Sequence, residues 1–140
     1  MLAALAAAFA LRVVGQALVR FLDVQFLPPM SEWYSGLIPY PQLLASQCVI
    51  LAAQAWISRD LWRGSGFFAS RRTRAGLALR WFSVIYFTVM VLRYVLAMLY
   101  FPERRWFGGT IPIFFHWILA AYVFLLSLYH TTEAEHANPA

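Results

Sequence analysis

The chain has 140 residues, of which 62% are hydrophobic and 12% charged, with a formal net charge of +5. Soluble domains carry about 25% charged residues, so this chain lacks the charge to coat a water-exposed globule and reads as a polytopic membrane protein. Its 18% aromatic content and long apolar runs are the opposite of a disordered composition.

All eleven basic residues are arginine. Arg59, Arg63, Arg71, Arg72 and Arg74 fall in one short segment between two apolar runs, with Arg80 just beyond. That placement is a topology signal for a loop on the membrane surface, and it points away from nucleic acid as a partner. Cys48 is the single cysteine. It excludes an intramolecular disulfide, a C-x-x-C redox pair and a cysteine-based zinc site, and it reads as a small buried hydrophobe.

The first apolar run, residues 2–22, spans about 30 Å as a helix, the thickness of a bilayer core. A cleavable signal peptide needs basic residues ahead of its apolar stretch, and none precedes Arg12, so a retained helix is expected. Residues 23–40 hold Pro28, Pro29, Gly36 and Pro39, which break helix. Trp33, Tyr34 and Tyr40 suit a loop lying on the headgroups.

A second helix is expected over 41–58, with Pro41 in its first turn. The arginine-rich loop 59–74 follows. Its Phe67 and Phe68, flanked by arginines, suggest a segment dipping into an anionic leaflet. A third run, 75–101, ends at Pro102. After a short loop at 102–109 a fourth helix is expected over 110–130, and residues 131–140 form a polar tail. The reading is all-α: one four-helix transmembrane domain over 1–130 in a bacterial-type inner membrane. Positive-inside logic puts the arginine-rich loop and both termini in the cytoplasm.

Ionisable groups inside a span are costly and are functional candidates by default. Here they are Arg12, Arg20, Arg93 and His116. None of the four expected spans holds a carboxylate, which counts against a proton-coupled pump. It also separates the chain from the small multidrug-resistance transporters, which carry a glutamate in their first helix.

Arg12, Gln16 and Arg20 are spaced by four, and Asp23 follows by three, giving an oblique polar stripe on the first helix. Arg12, Gln47 and Gln54 read as packing residues that bond neighbouring helices. Arg93 and His116 fall at matching depth on consecutive helices. With Arg20, Gln16 and the loop acids Glu32 and Asp23, they form a candidate polar cluster or ligand site in the outer leaflet.

His116 and His130 share a helix face but are about 21 Å apart, too far to bind one iron. Haem would need a second chain to complete its ligation. H-E-x-x-H is absent, and no catalytic set, metal site or required cofactor stands out. The expected function is a non-enzymatic accessory, assembly or stabilising subunit of a larger membrane complex, or a self-associating protein. The alternative is a binder of a lipid headgroup or quinone through the outer-leaflet cluster.

Overall fold

The computed structural model describes residues 1–34, 38–100 and 111–132. The loop containing Glu103, Arg104, Arg105 and the Gly108-Gly109-Thr110 turn lies outside the described residues, as do Gly36 and the tail with His136. The described chain is all-helical: α1 Leu2–Leu22, α2 Met30–Trp33, α3 Tyr40–Arg63, α4 Thr73–Tyr100 and α5 Ile111–Thr131.

Among the described residues three helices, α1, α4 and α5, are long and apolar enough to cross a membrane. The helix expected over 41–58 is α3, and it differs in two ways. It lacks the hydropathy of the other three because Gln42, Gln47 and Gln54 interrupt it. It also continues five residues further, so Arg59 and Arg63 are helical rather than in a loop, and Asp60 joins the helix.

The end of α3 has a local cause. Nothing in Arg59-Asp60-Leu61-Trp62-Arg63 breaks a helix, and Gly64 is the first residue to take the left-handed conformation, at φ 64°. The Gly64 N–H donates to Leu61 O at 3.4 Å and the Ser65 N–H to Asp60 O at 3.3 Å. This crossed pair satisfies the last helical carbonyls.

Polarity is inverted relative to a water-soluble bundle. Arg12, Gln16, Gln47, Gln54, Asp60, Ser83, Ser127 and His130 are buried, whereas Leu11, Val49, Trp56, Trp81, Ile85 and Leu92 are exposed. Such an arrangement is costly in water and favourable in hydrocarbon, where every polar group needs an internal partner. Cys48, expected to be buried, is exposed on α3 on the side away from Gln47 and Gln54.

The helices alternate in direction. Gln47 of α3 meets Gln16 of α1, and the far end of α3, at Ile57, sits in the cluster packed by Leu2 and Leu5. α5 runs against both α1 and α4. Arg12 of α1 lies over Phe115, while Leu2 and Leu5 reach the cluster of Tyr122 and Leu126. Gly76 at the start of α4 abuts His130 and Thr131, and Tyr94 near its end packs against Phe114 with tilted rings. The start of α1, the end of α3, the start of α4 and the end of α5 therefore share one pole with the arginine-rich loop.

Small residues set the α4–α5 contact. A Cβ built on Gly76 would stand 2.8 Å from Thr131 Cγ2 and 3.1 Å from Ser127 O. Ser83, Ala120 and Ser127 are buried along the same seam. Close approach through small side chains is the usual basis of helix association in lipid.

Candidate functional site

Two polar regions occupy the interior, one on each side of the bundle's middle. The first is built on α2, a short helix in the segment read from sequence as a headgroup-lying loop. Trp33 is buried rather than interfacial. Gly15 of α1 leaves a slot for it, since a Cβ there would lie 3.0 Å from Trp33 Cη2. The indole N–H donates to Pro28 O at 2.9 Å and closes the turn.

Docking Trp33 brings its carbonyl to α1, where it accepts from Arg12 Nη2 and from Gln16 Nε2, both at 3.3 Å. Gln16 is fully buried, and its Oε1 accepts from Gln47 Nε2 at 3.0 Å. Three elements are thus tied by one chain of bonds. Arg12, at 7% exposure, also lies over the Phe115 ring at 5.4 Å. Its Nε, and Gln47 Oε1, are buried without a partner among the described residues. They border a cavity of about 120 Å³ that His116 and Ser46 also line.

The residues of the expected outer-leaflet cluster are not gathered at this cavity. Gln16 is bonded to two of the residues that line the cavity, Gln47 and Trp33. His116 lines it, with Nδ1 hydrogen-bonded to the Tyr86 hydroxyl of α4. Arg93 is half-buried two turns further along α4, within electrostatic reach of Tyr86 and His116. Glu32 is half-buried on α2. Arg20 and Asp23 stay at the surface: Arg20 lies over the Tyr40 ring at 5.8 Å, and Asp23 ends α1 in a left-handed conformation. Arg12, read as a packing residue, is the cation most deeply set in the site.

The second region was not anticipated. No backbone of α3 approaches α4 among the described residues, and the space between them is a groove of about 540 Å³ floored by α5. Leu119, Val123 and Leu126 form its floor, and Phe67, Phe68 and Arg72 close it at the arginine pole. Gln54, 3% exposed, presents an amide with neither Nε2 nor Oε1 partnered, and His130, 6% exposed, presents an unpartnered Nδ1. Tyr122 donates its hydroxyl to Gln54 O at 3.3 Å and fixes that level of the floor. Thus His116 and His130 serve two different cavities.

The loop that caps the groove is folded around Asp60, which is buried and accepts the Phe68 N–H at 3.2 Å. Gly66, at φ 116°, passes over the Asp60 carboxylate so closely that a Cβ would come within 2.5 Å of it. Arg72 stacks on Phe67 at 4.0 Å, and Arg71 lies over Tyr129, whose hydroxyl donates to Ala69 O at 3.0 Å. The arginines of this segment are therefore partly held in place rather than free in solvent.

Sequence spacing had no route to the groove. Gln54, Arg72 and His130 are far apart in the chain, and only the splay of α3 from α4 brings them to one space. The one available signal was Gln54 itself, a glutamine in an apolar run on a helix face shared with Gln47. Among the described residues no three His, Cys, Asp or Glu side chains converge as a metal site. No family model matches the chain, and no curated protein or solved structure is significantly similar to it.

Proposed function

We propose that this chain is an integral protein of a bacterial-type inner membrane, crosses it four times with both termini in the cytoplasm, and serves as a non-enzymatic accessory or stabilising subunit of a larger membrane complex. The observation that carries the subunit reading is the surface of α4. Only Gly76 and Ser83 of its 28 residues are buried. Trp81, Ile85 and Leu92 are left facing outward, as a broad apolar face for lipid or a neighbouring subunit. The polar interior supports the same reading, because Arg12, Gln16 and Gln47 are joined to one another and to the Trp33 carbonyl and so hold helices in register.

Four crossings are supported by the alternating helix directions and by the way α3 is turned. Its buried side carries Gln47 and Gln54, and its outward side carries Val49, Ala52 and Trp56. A helix whose glutamines are satisfied or enclosed inside presents an apolar face to lipid despite its modest overall hydropathy. An alkaline phosphatase fusion after residue 36 should be active and one after residue 66 silent; the reverse pattern inverts the topology.

A photo-reactive residue at Trp81, Ile85 or Leu92 tests the subunit role. Cross-linking in intact membranes should capture a discrete protein partner, and native electrophoresis after mild extraction should show an assembly. A single 16.1 kDa species in every condition, with adducts to lipid only, would sink it.

A second reading rests on the unpartnered Arg12 Nε and Gln47 Oε1 beside the 120 Å³ cavity. A lipid headgroup or quinone carbonyl entering there would meet the guanidinium. Under that reading Arg12→Leu folds normally but loses a copurifying ligand, whereas under the packing reading it loses nothing.

A further inference from the structure

We propose that the groove between α3 and α4 is a binding site for an anionic phospholipid, with the phosphate at Arg72 and His130, a linkage carbonyl at Gln54, and one chain along the floor of α5. This site opens at the arginine pole, its inner end adjoins the cavity beside Arg12 through the shared residues Ile50 and Leu119, and it does not depend on the accessory-subunit role.

Three observations converge on it. The first is shape. A groove of about 540 Å³ lies within the range of about 300–1,000 Å³ typical of ligand sites, and α3 and α4 leave it unfilled. Its long walls are apolar, from Ile50 and Ala53 on α3 and Leu79 and Phe82 on α4, which matches a hydrocarbon chain.

The second is the pair of enclosed polar groups. An amide with no hydrogen-bond partner at 3% exposure carries an uncompensated desolvation cost. In hydrocarbon no water is at hand to relieve it. A carbonyl acceptor delivered by the ligand would satisfy Gln54 Nε2. His130 Nδ1 is the second unpartnered atom, about two turns nearer the arginine pole, since Tyr122 sits level with Gln54 and His130 follows it by eight residues, about 12 Å. In the tautomer that protonates Nδ1 it donates to an oxyanion.

The third is charge. Arg72 lines the mouth, and no carboxylate is among the described residues that line the groove. Its guanidinium is planted on the Phe67 ring, which fixes it beside the opening. An arginine held at the depth of the headgroups is suited to bidentate binding of phosphate. A neutral quinone would leave that cation unused, and a neighbouring helix would bury it without a counter-charge.

The test uses the full chain purified in mild detergent and reconstituted in nanodiscs of phosphatidylcholine containing a minor fraction of spin-labelled phosphatidylglycerol or phosphatidylcholine. Wild type should show a motionally restricted phosphatidylglycerol population, and native mass spectrometry should retain about one phosphatidylglycerol per chain. Arg72→Gln should reduce the preference for phosphatidylglycerol over phosphatidylcholine about fivefold, corresponding to about 1 kcal/mol for one basic residue near the surface. Val123→Trp, which fills the floor with an apolar ring, should abolish retention of both lipids. Circular dichroism and gel filtration of each variant check that it is folded, and should Val123→Trp fail to fold, Ala53→Phe on the opposite wall takes its place.

Equal retention of both lipids by wild type overturns the proposal, as does retention unchanged in the filled variant. Recovery of a quinone in place of phospholipid overturns it, and so does a groove found to be occupied by a second copy, detected as a disulfide dimer of Val123→Cys in a chain that also carries Cys48→Ala, because the exposed Cys48 could otherwise cross-link.

Discussion

Gln47 Nε2 donates to Gln16 Oε1 at 3.0 Å between α3 and α1, and Gln16 passes the chain on by donating its own Nε2 to the Trp33 carbonyl. One fully buried glutamine thus accepts from one helix and donates to another element. Its two functions are separable by mutation. Interhelical side-chain bonds in membranes average about 0.6 kcal/mol and reach about 1.7 kcal/mol. Gln16→Leu breaks both bonds and should destabilise the bundle by about 1–2 kcal/mol, while Gln47→Leu breaks one and should cost less. The double variant should cost less than the sum of the singles, because no orphaned amide is left on either side. Reversible unfolding in bicelles with a double-mutant cycle measures this, and strict additivity would contradict the pairing.

Arg12 shares the Trp33 carbonyl with Gln16, so its loss leaves that acceptor satisfied. Replacing a buried charge by an apolar side chain of similar reach is often neutral or stabilising. Arg12→Leu should therefore lie within about 1 kcal/mol of wild type in the same assay. A loss well above that of Gln16→Leu would show that the guanidinium holds more than this one carbonyl.

Gly76→Val tests the small-residue seam between α4 and α5. The added methyls have no room beside Thr131 Cγ2 and Ser127 O, and overpacking costs about 1–3 kcal/mol. The variant should unfold earlier and show a widened spacing between spin labels placed near the arginine-pole ends of the two helices. Unchanged spacing and stability would mean the contact is slack.

Gly66→Ala concerns the groove's cap. A Cβ there meets the Asp60 carboxylate, and the φ of 116° is strained for any L side chain. A cost of about 1–3 kcal/mol is expected, expressed locally, so trypsin should cut at Arg71 and Arg72 several-fold faster while the spans stay folded. Asp60→Ala, which removes the acceptor of the Phe68 N–H, should show the same acceleration. Cleavage at the wild-type rate in both would place the loop's order elsewhere.

The extents of α1, α4 and α5 follow from the chain itself, because a long apolar run of the bilayer's length, bounded by Pro, Gly or charge, has one stable form in hydrocarbon. The arginine-rich segment as a single feature, and Gln16 as an interior residue, were legible for the same reason: composition and the 3.6-residue period are local properties. What stayed hidden depended on contacts between distant segments. Trp33 looked interfacial because nothing in its own segment reveals the slot at Gly15. Arg59 and Arg63 looked like loop residues because charge is a weaker helix terminator than the left-handed turn at Gly64. Arg93 and His116 were paired by their expected depth, yet the hydrogen bond His116 makes goes to Tyr86, since depth along an axis says nothing about which face meets which neighbour. The groove is the clearest case. Gln54, Arg72 and His130 line one space only because small residues draw α4 onto α5 while α3 is held by α1, and a gap between helices is a property of their packing and of no single helix.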